Sequence, residues 1–97
     1  MAKFGELIGV EKPVLIEFCA NSNAAQNKIN TLSSVAATLG KNAKVIKINV
    51  NENKALIDAL DVQKTPTFMI YKKGEMQWRQ TGLQDHKTLI GLVLNYV

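Results

Sequence analysis

The side chains in this chain that could do chemistry gather in one stretch, Pro13 to Gln26 (PVLIEFCANSNAAQ), which reads as a strand running directly into a helix. Cys19 is the only cysteine. A lone thiol is reactive when it is exposed and close to a cation or a helix N-terminus, and is otherwise a small apolar group that packs at a strand end. Ser22 and Asn23 are good helix caps, and with the first amides of a helix they could also hold an anion or a ligand thiol. Glu17 interrupts an otherwise apolar run. His86 has only Asp85 beside it, too few donors for a metal, and no metal or other cofactor is expected.

The elements that position these residues follow from apolar spacing. Phe4, Leu7 and Ile8 suit a short amphipathic helix ending near Gly9, and Val14 to Phe18 is apolar on both faces, as interior strands of parallel sheets are. Ala25, Ile29, Leu32, Ala36 and Leu39 recur at four, three, four and three residues, one face of a helix closed by Gly40. Lys44 to Asn51 predicts a second strand, joined to the first by a crossover and so parallel to it. A short helix over 53–60 turns Ala55, Leu56, Ala59 and Leu60 inward, with Asp61 in the left-handed conformation at its end. Thr65-Pro66-Thr67 leads into a strand over Phe68 to Tyr71. Lys72 to Glu75 turns it into an antiparallel strand over Met76 to Gln80. Asp85 caps a last helix with Leu89, Ile90, Leu92, Val93 and Tyr96 as its apolar stripe.

Ninety-seven residues make one domain, 1–97, with a single modest core. The net charge of +4 comes from lysines spread along the chain without interleaved aromatic residues, which reads as a solvated surface, with neither nucleic acid nor membrane as a partner. No apolar run approaches the ~20 residues of a membrane span, and the N-terminus lacks the pattern of a signal peptide, so a cytoplasmic protein is expected. One cysteine forms no internal disulfide, which is compatible with a reducing compartment.

The order helix, strand, helix, strand, helix, strand, strand, helix resembles that of a thioredoxin over nearly the whole chain. KPVLIEF is similar to the first central strand of that family, VIKINVNEN to the next, TPT to the loop bearing its cis-proline, and FMIYKKGEM followed by TG to its terminal hairpin. The resemblance implies an α/β thioredoxin fold, a central mixed sheet of about four strands flanked by helices on both faces. It further implies that Pro66 is cis. The backbone of Thr65 would pair with a bound extended peptide or with glutathione, in a groove lined by Ser22, Asn23, Ala24, Val50, Thr81 and Gly82. Glu17 matches the family's buried acid and Lys47 the lysine facing it, which implies a buried or half-buried ion pair between central strands.

The departure lies at the redox motif. Thioredoxins carry Trp-Cys-Gly-Pro-Cys where this chain has Ser22-Asn23-Ala24-Ala25-Gln26. Asn23 and Gln26 therefore stand at the two cysteine positions, and an amide neither attacks sulfur nor is oxidised to a disulfide, which excludes dithiol exchange at this site. Cys19 matches a tryptophan of the family. The expected function is a redox-inactive thioredoxin-like domain that binds a protein or peptide in the groove around Thr65-Pro66. The alternatives are a thiol-disulfide or glutathione-linked enzyme acting through Cys19 or Ser22, and a purely structural subunit.

Overall fold

Everything in the fold is arranged about β1 (Val14–Cys19), whose side chains are buried at every position but the half-buried Glu17. The computed structural model describes residues 4–20, 29–82 and 84–97, and of residues 29–31 the backbone alone. In order, α1 (Phe4–Ile8) precedes β1, and the described part of α2 (Ile29–Leu39) leads through a 3₁₀ turn to β2 (Lys44–Asn49). A second 3₁₀ turn (Val50–Glu52) leads to α3 (Lys54–Leu60). The hairpin of β3 (Thr67–Lys72) and β4 (Glu75–Thr81) follows, and α4 (His86–Leu94) ends the fold.

The sheet has the order β2-β1-β3-β4. β2 lies parallel to β1, with Val14 opposite Lys44 and Phe18 opposite Ile48. β3 lies antiparallel to β1, and β4 antiparallel to β3. This is the mixed four-stranded sheet that the resemblance implied. Because strand side chains alternate, β1 feeds two separate clusters. Leu15 packs with Leu32, Val35, Leu39, Leu89 and Val93 beneath α2 and α4. Val14, Ile16 and Phe18 pack with Ile8, Ile48 and Val62 on the face carrying α1 and α3. There the Phe4 ring meets Tyr71 edge-on, with centroids 5.4 Å apart.

Two helix faces differ from the expected ones. In α2, Val35 is fully buried and Ala36 is exposed. Position 35 bisects the stripe between Leu32 and Leu39, and the larger side chain takes the core. In α3, Leu56, Ile57 and Leu60 pack against the sheet and Ala55 and Ala59 are exposed. A helix of two turns presents one narrow stripe, and the branched residues occupy it. Ala25 lies outside the described residues.

The breaks between elements are those the sequence signals. Gly40 closes α2 at φ +53°, and Asp61 ends α3 in the left-handed region at φ 54°, ψ 48°. Lys73 and Gly74 both have positive φ, as the two centre residues of a hairpin turn of matching twist require. Their amides donate to Val10 and Ile8 carbonyls, tying the hairpin to the end of α1. Lys72 Nζ donates to the Tyr96 carbonyl at 2.6 Å, which fastens the end of α4 to the same hairpin. Asp85 stands at the N-cap of α4 as expected, but its side chain makes no capping hydrogen bond and instead faces His86 Nδ1 at 3.6 Å. Among the described residues, no helix is long and apolar enough to cross a membrane.

Candidate functional site

The loop entering β3 is held by polar bonds from beneath. Thr67 is completely buried at the first position of β3. Its Oγ1 donates to the Lys64 carbonyl at 2.6 Å and lies 3.3 Å from Thr81 Oγ1 at the end of β4. The Gly82 amide donates to the Pro66 carbonyl at 2.8 Å. At φ +104° Gly82 occupies a conformation that a side chain would strain, and this brings its N–H back under the loop. The Thr65–Pro66 peptide is cis, as the resemblance implied.

Above these fixings the loop is open. Thr65 is exposed, Pro66 is half-buried, and among the described residues no hydrogen bond engages the N–H or C=O of Thr65. Val50, half-buried, packs against the Phe18 cluster just after β2, at the same end of the sheet. Asn49 shapes the turn there: its Oδ1 accepts from the Asn51 amide and its carbonyl from Asn53 Nδ2, each at 2.8 Å. Of the expected groove residues, the structure places Val50, Thr65, Pro66, Thr81 and Gly82; a hydrogen bond links Gly82 to Pro66, and another ties Thr81 to Thr67 beside them. Ser22, Asn23, Ala24 and Gln26 lie outside the described residues.

Glu17, Cys19 and Lys47 sit behind this end, on the face that carries α2. Cys19 is buried, and its thiol donates to the Ile48 carbonyl at 3.6 Å. Burial pushes the thiol up from its ordinary value; Lys47 opposes this and Glu17 adds to it. The local environment is therefore the reverse of one that makes a thiolate.

Glu17 and Lys47 are register neighbours across the parallel ladder, but Lys47 is exposed. The expected buried pair is thus corrected to a half-buried carboxyl beside a solvated ammonium, since an edge strand leaves a long lysine free to reach water. Burial raises the Glu17 carboxyl above its usual value, with Lys47 opposing the shift. A carboxyl raised on folding favours the native state while it is protonated, and that advantage is lost as pH rises through its folded value. Glu17→Gln is therefore expected to be more stable than the parent at about pH 7.5 and indistinguishable from it at about pH 3. Thermal unfolding at both pH values checks this; a less stable variant at the higher pH would show that the ionised carboxyl is net favourable.

Two residues that shape the site have no functional signature in the sequence. Thr67 could have been singled out as a hydroxyl heading the apolar run FMIY. Arg79 donates through Nη1 and Nη2 to the Leu60 and Asp61 carbonyls at the end of α3. Nothing in the strand pattern of β4 marks that role.

A mixed sheet in this strand order, helices on both faces and a cis-proline loop facing the end of the central strand define a thioredoxin-like α/β domain. The Thioredoxin family model matches residues 1–95. A thioredoxin-like protein of Synechocystis is 31% identical over 91 residues, covering 92% of this chain and 87% of the relative. The thioredoxin of Rickettsia typhi is 29% identical over 86 residues, covering 88% and 82%. Among solved structures, the N21Q mutant thioredoxin of Halobacterium salinarum superposes with a TM-score of 0.78 at 33% identity, covering 95% of this chain and 80% of that one. The chain belongs to the thioredoxin family.

Proposed function

We propose that this thioredoxin-family domain is a binding module that takes up an extended protein or peptide segment around Thr65-Pro66 and performs no dithiol exchange. The observation that carries this reading is Thr65. It presents an exposed backbone donor and acceptor at a loop fixed from below by Thr67, Thr81 and Gly82, and a fixed backbone edge of this kind pairs with an extended chain at little ordering cost. Val50 supplies an apolar wall at the same end of the sheet. Asn23 and Gln26, where the family has its cysteines, offer amide hydrogen bonding in place of sulfur chemistry. The partner is a protein or peptide, with neither nucleic acid nor membrane involved, and a reducing cytoplasm suits a chain with one unpaired thiol.

The thiol-dependent alternative is disfavoured by Cys19, which is buried and has its thiol pushed away from ionisation. The test is to select peptides from a random library on the immobilised protein and titrate the tightest into isotope-labelled protein. Shifts at Val50, Thr65, Thr67 and Gly82 are expected. The reading fails if those amides stay unmoved, or if the protein reduces insulin or turns over glutathione in a manner lost in Cys19→Ser.

A further inference from the structure

The loop that carries Thr65 is a short span between two fixed ends, and β4 holds both. At the β3 end the Thr81 hydroxyl lies 3.3 Å from that of Thr67, and the Gly82 amide, just past the strand, donates to the Pro66 carbonyl. The α3 end is held two residues earlier on the same strand. Arg79 stands opposite the buried Met69, and its half-buried side chain leaves β4 on the face that carries α3. Its Nη1 donates to the Leu60 carbonyl and its Nη2 to that of Asp61, each at 2.5 Å.

Those carbonyls are among the last of α3 and have no donor further along the helix. Asp61 ends the helix at positive φ, a conformation that costs a residue with a Cβ more than it costs glycine and that persists where surrounding bonds fix it. The Val62 amide returns to the Ile57 carbonyl at 3.1 Å, and the Val62 side chain is buried in the Phe18 cluster. From there the chain has only Gln63 to Pro66 in which to reach β3, and residues 63–65 are exposed.

We propose that Arg79 is a positioning residue for the Thr65-Pro66 loop, holding the α3 end of the loop to β4 so that the Thr65 backbone stands ordered before an extended chain arrives. This rests on the binding role proposed above. Arginine suits the task because its guanidinium carries N–H donors in one fixed plane and serves two adjacent carbonyls at once, whereas an ammonium is a single charged point on a flexible stem. The Asp61 carboxylate accepts instead from Gln63 Nε2 at 2.9 Å, so what Arg79 grips is backbone.

For the incoming chain the gain is in ordering. A loop fixed only at Thr67, Pro66 and Gly82 can swing at its α3 end, and a bound segment would then have to still it. With both ends tied to one strand, that entropy is already lost on folding and does not weigh against binding.

The test compares the intact protein with Arg79→Met, which keeps an unbranched stem and loses every donor, and with Val93→Ala, which thins the core beneath α4 on the opposite face. Backbone amide relaxation is read first, without peptide. Order parameters at Gln63, Lys64 and Thr65 are expected near the ~0.85 of a rigid backbone in the parent and in Val93→Ala, and to fall toward ~0.6 in Arg79→Met. Affinity for the library-selected peptide is then measured by calorimetry at a temperature where each protein is folded. It is expected to fall about tenfold in Arg79→Met, the equivalent of ordering about one residue of backbone, and to be unchanged in Val93→Ala. Arg79→Lys, which reaches one carbonyl but not two, is expected to lie between parent and Arg79→Met, and it carries both comparisons should the methionine variant not fold. A helix cap that served stability alone would lower the unfolding midpoint and leave order parameters and affinity at the parent's values, and that result overturns the proposal. If no peptide binds at Thr65 in the parent, the binding role fails and the proposal with it; if the parent binds there and the Arg79 variants bind as tightly, the proposal alone fails.

Discussion

Phe18→Ala is expected to lower the free energy of unfolding by about 3–5 kcal/mol, measured by urea titration. Phe18 is completely buried in β1, flanked across the sheet by Ile48 and Thr67. Ile8, Ile16, Ile48 and Met69, from four elements, belong to the same buried cluster, so removal of the Phe18 ring leaves a space in the middle of the core on that face. A domain of this size has only about 5–15 kcal/mol in total, so the variant is expected to be partly unfolded at physiological temperature. A loss below about 1 kcal/mol would mean that the cluster recloses around the gap. Val50 packs on the same cluster, and its signal should move with the substitution.

Thr67→Val is expected to cost about 0.5–1.5 kcal/mol, although the two side chains have the same shape. The substitution removes no apolar contact. It leaves the Lys64 carbonyl without its donor and the Thr81 hydroxyl without its neighbour, at a place where Thr67 is buried but Lys64 and Thr81 are exposed and can turn to water. Thr67→Ser keeps the hydroxyl and is expected to lose less. Denaturant unfolding of the three proteins separates these cases, and faster amide exchange at Lys64 and Thr65 in the valine variant would tie the bond to the order of the loop. If valine proves neutral, the Thr65 loop is held mainly by the bond between Gly82 and Pro66.

The element order was legible in the sequence because each segment is bounded by a residue that can do little else: Gly40 and Asp61 at helix ends, Pro13 and Pro66 before strands, Lys73-Gly74 at the hairpin. The parallel pairing of β1 and β2 followed from the helix between them. Which residue of a helix faces inward was less legible, because alanine is equally at ease on either side and the periodicity does not say which of two adjacent small residues is central; Val35 and Ile57 took the places assigned to Ala36 and Ala55. Lys47 was assigned a burial that depends on whether its strand is inside or at the margin, a property of the whole sheet. The candidate site was legible as backbone, in TPT and TG, more than as side chains. The bonds that fix it run from Thr67 to Thr81 and from Gly82 to Pro66, and such pairings cross fourteen or more residues of sequence.

The central place of β1 also sets a schedule for the chain as it is made. β1 occupies residues 14–19, but its parallel partner begins 30 residues later, at Lys44, and the residue opposite Val14 on its other side is Tyr71, 57 residues later. The most apolar strand of the protein leaves the ribosome first and waits longest for cover, while the hairpin of β3 and β4, made last, can pair as soon as it appears. A nascent chain halted before Thr67 displays Val14 to Cys19 with one flank bare, which is the kind of surface that chaperones hold and that aggregates when they do not.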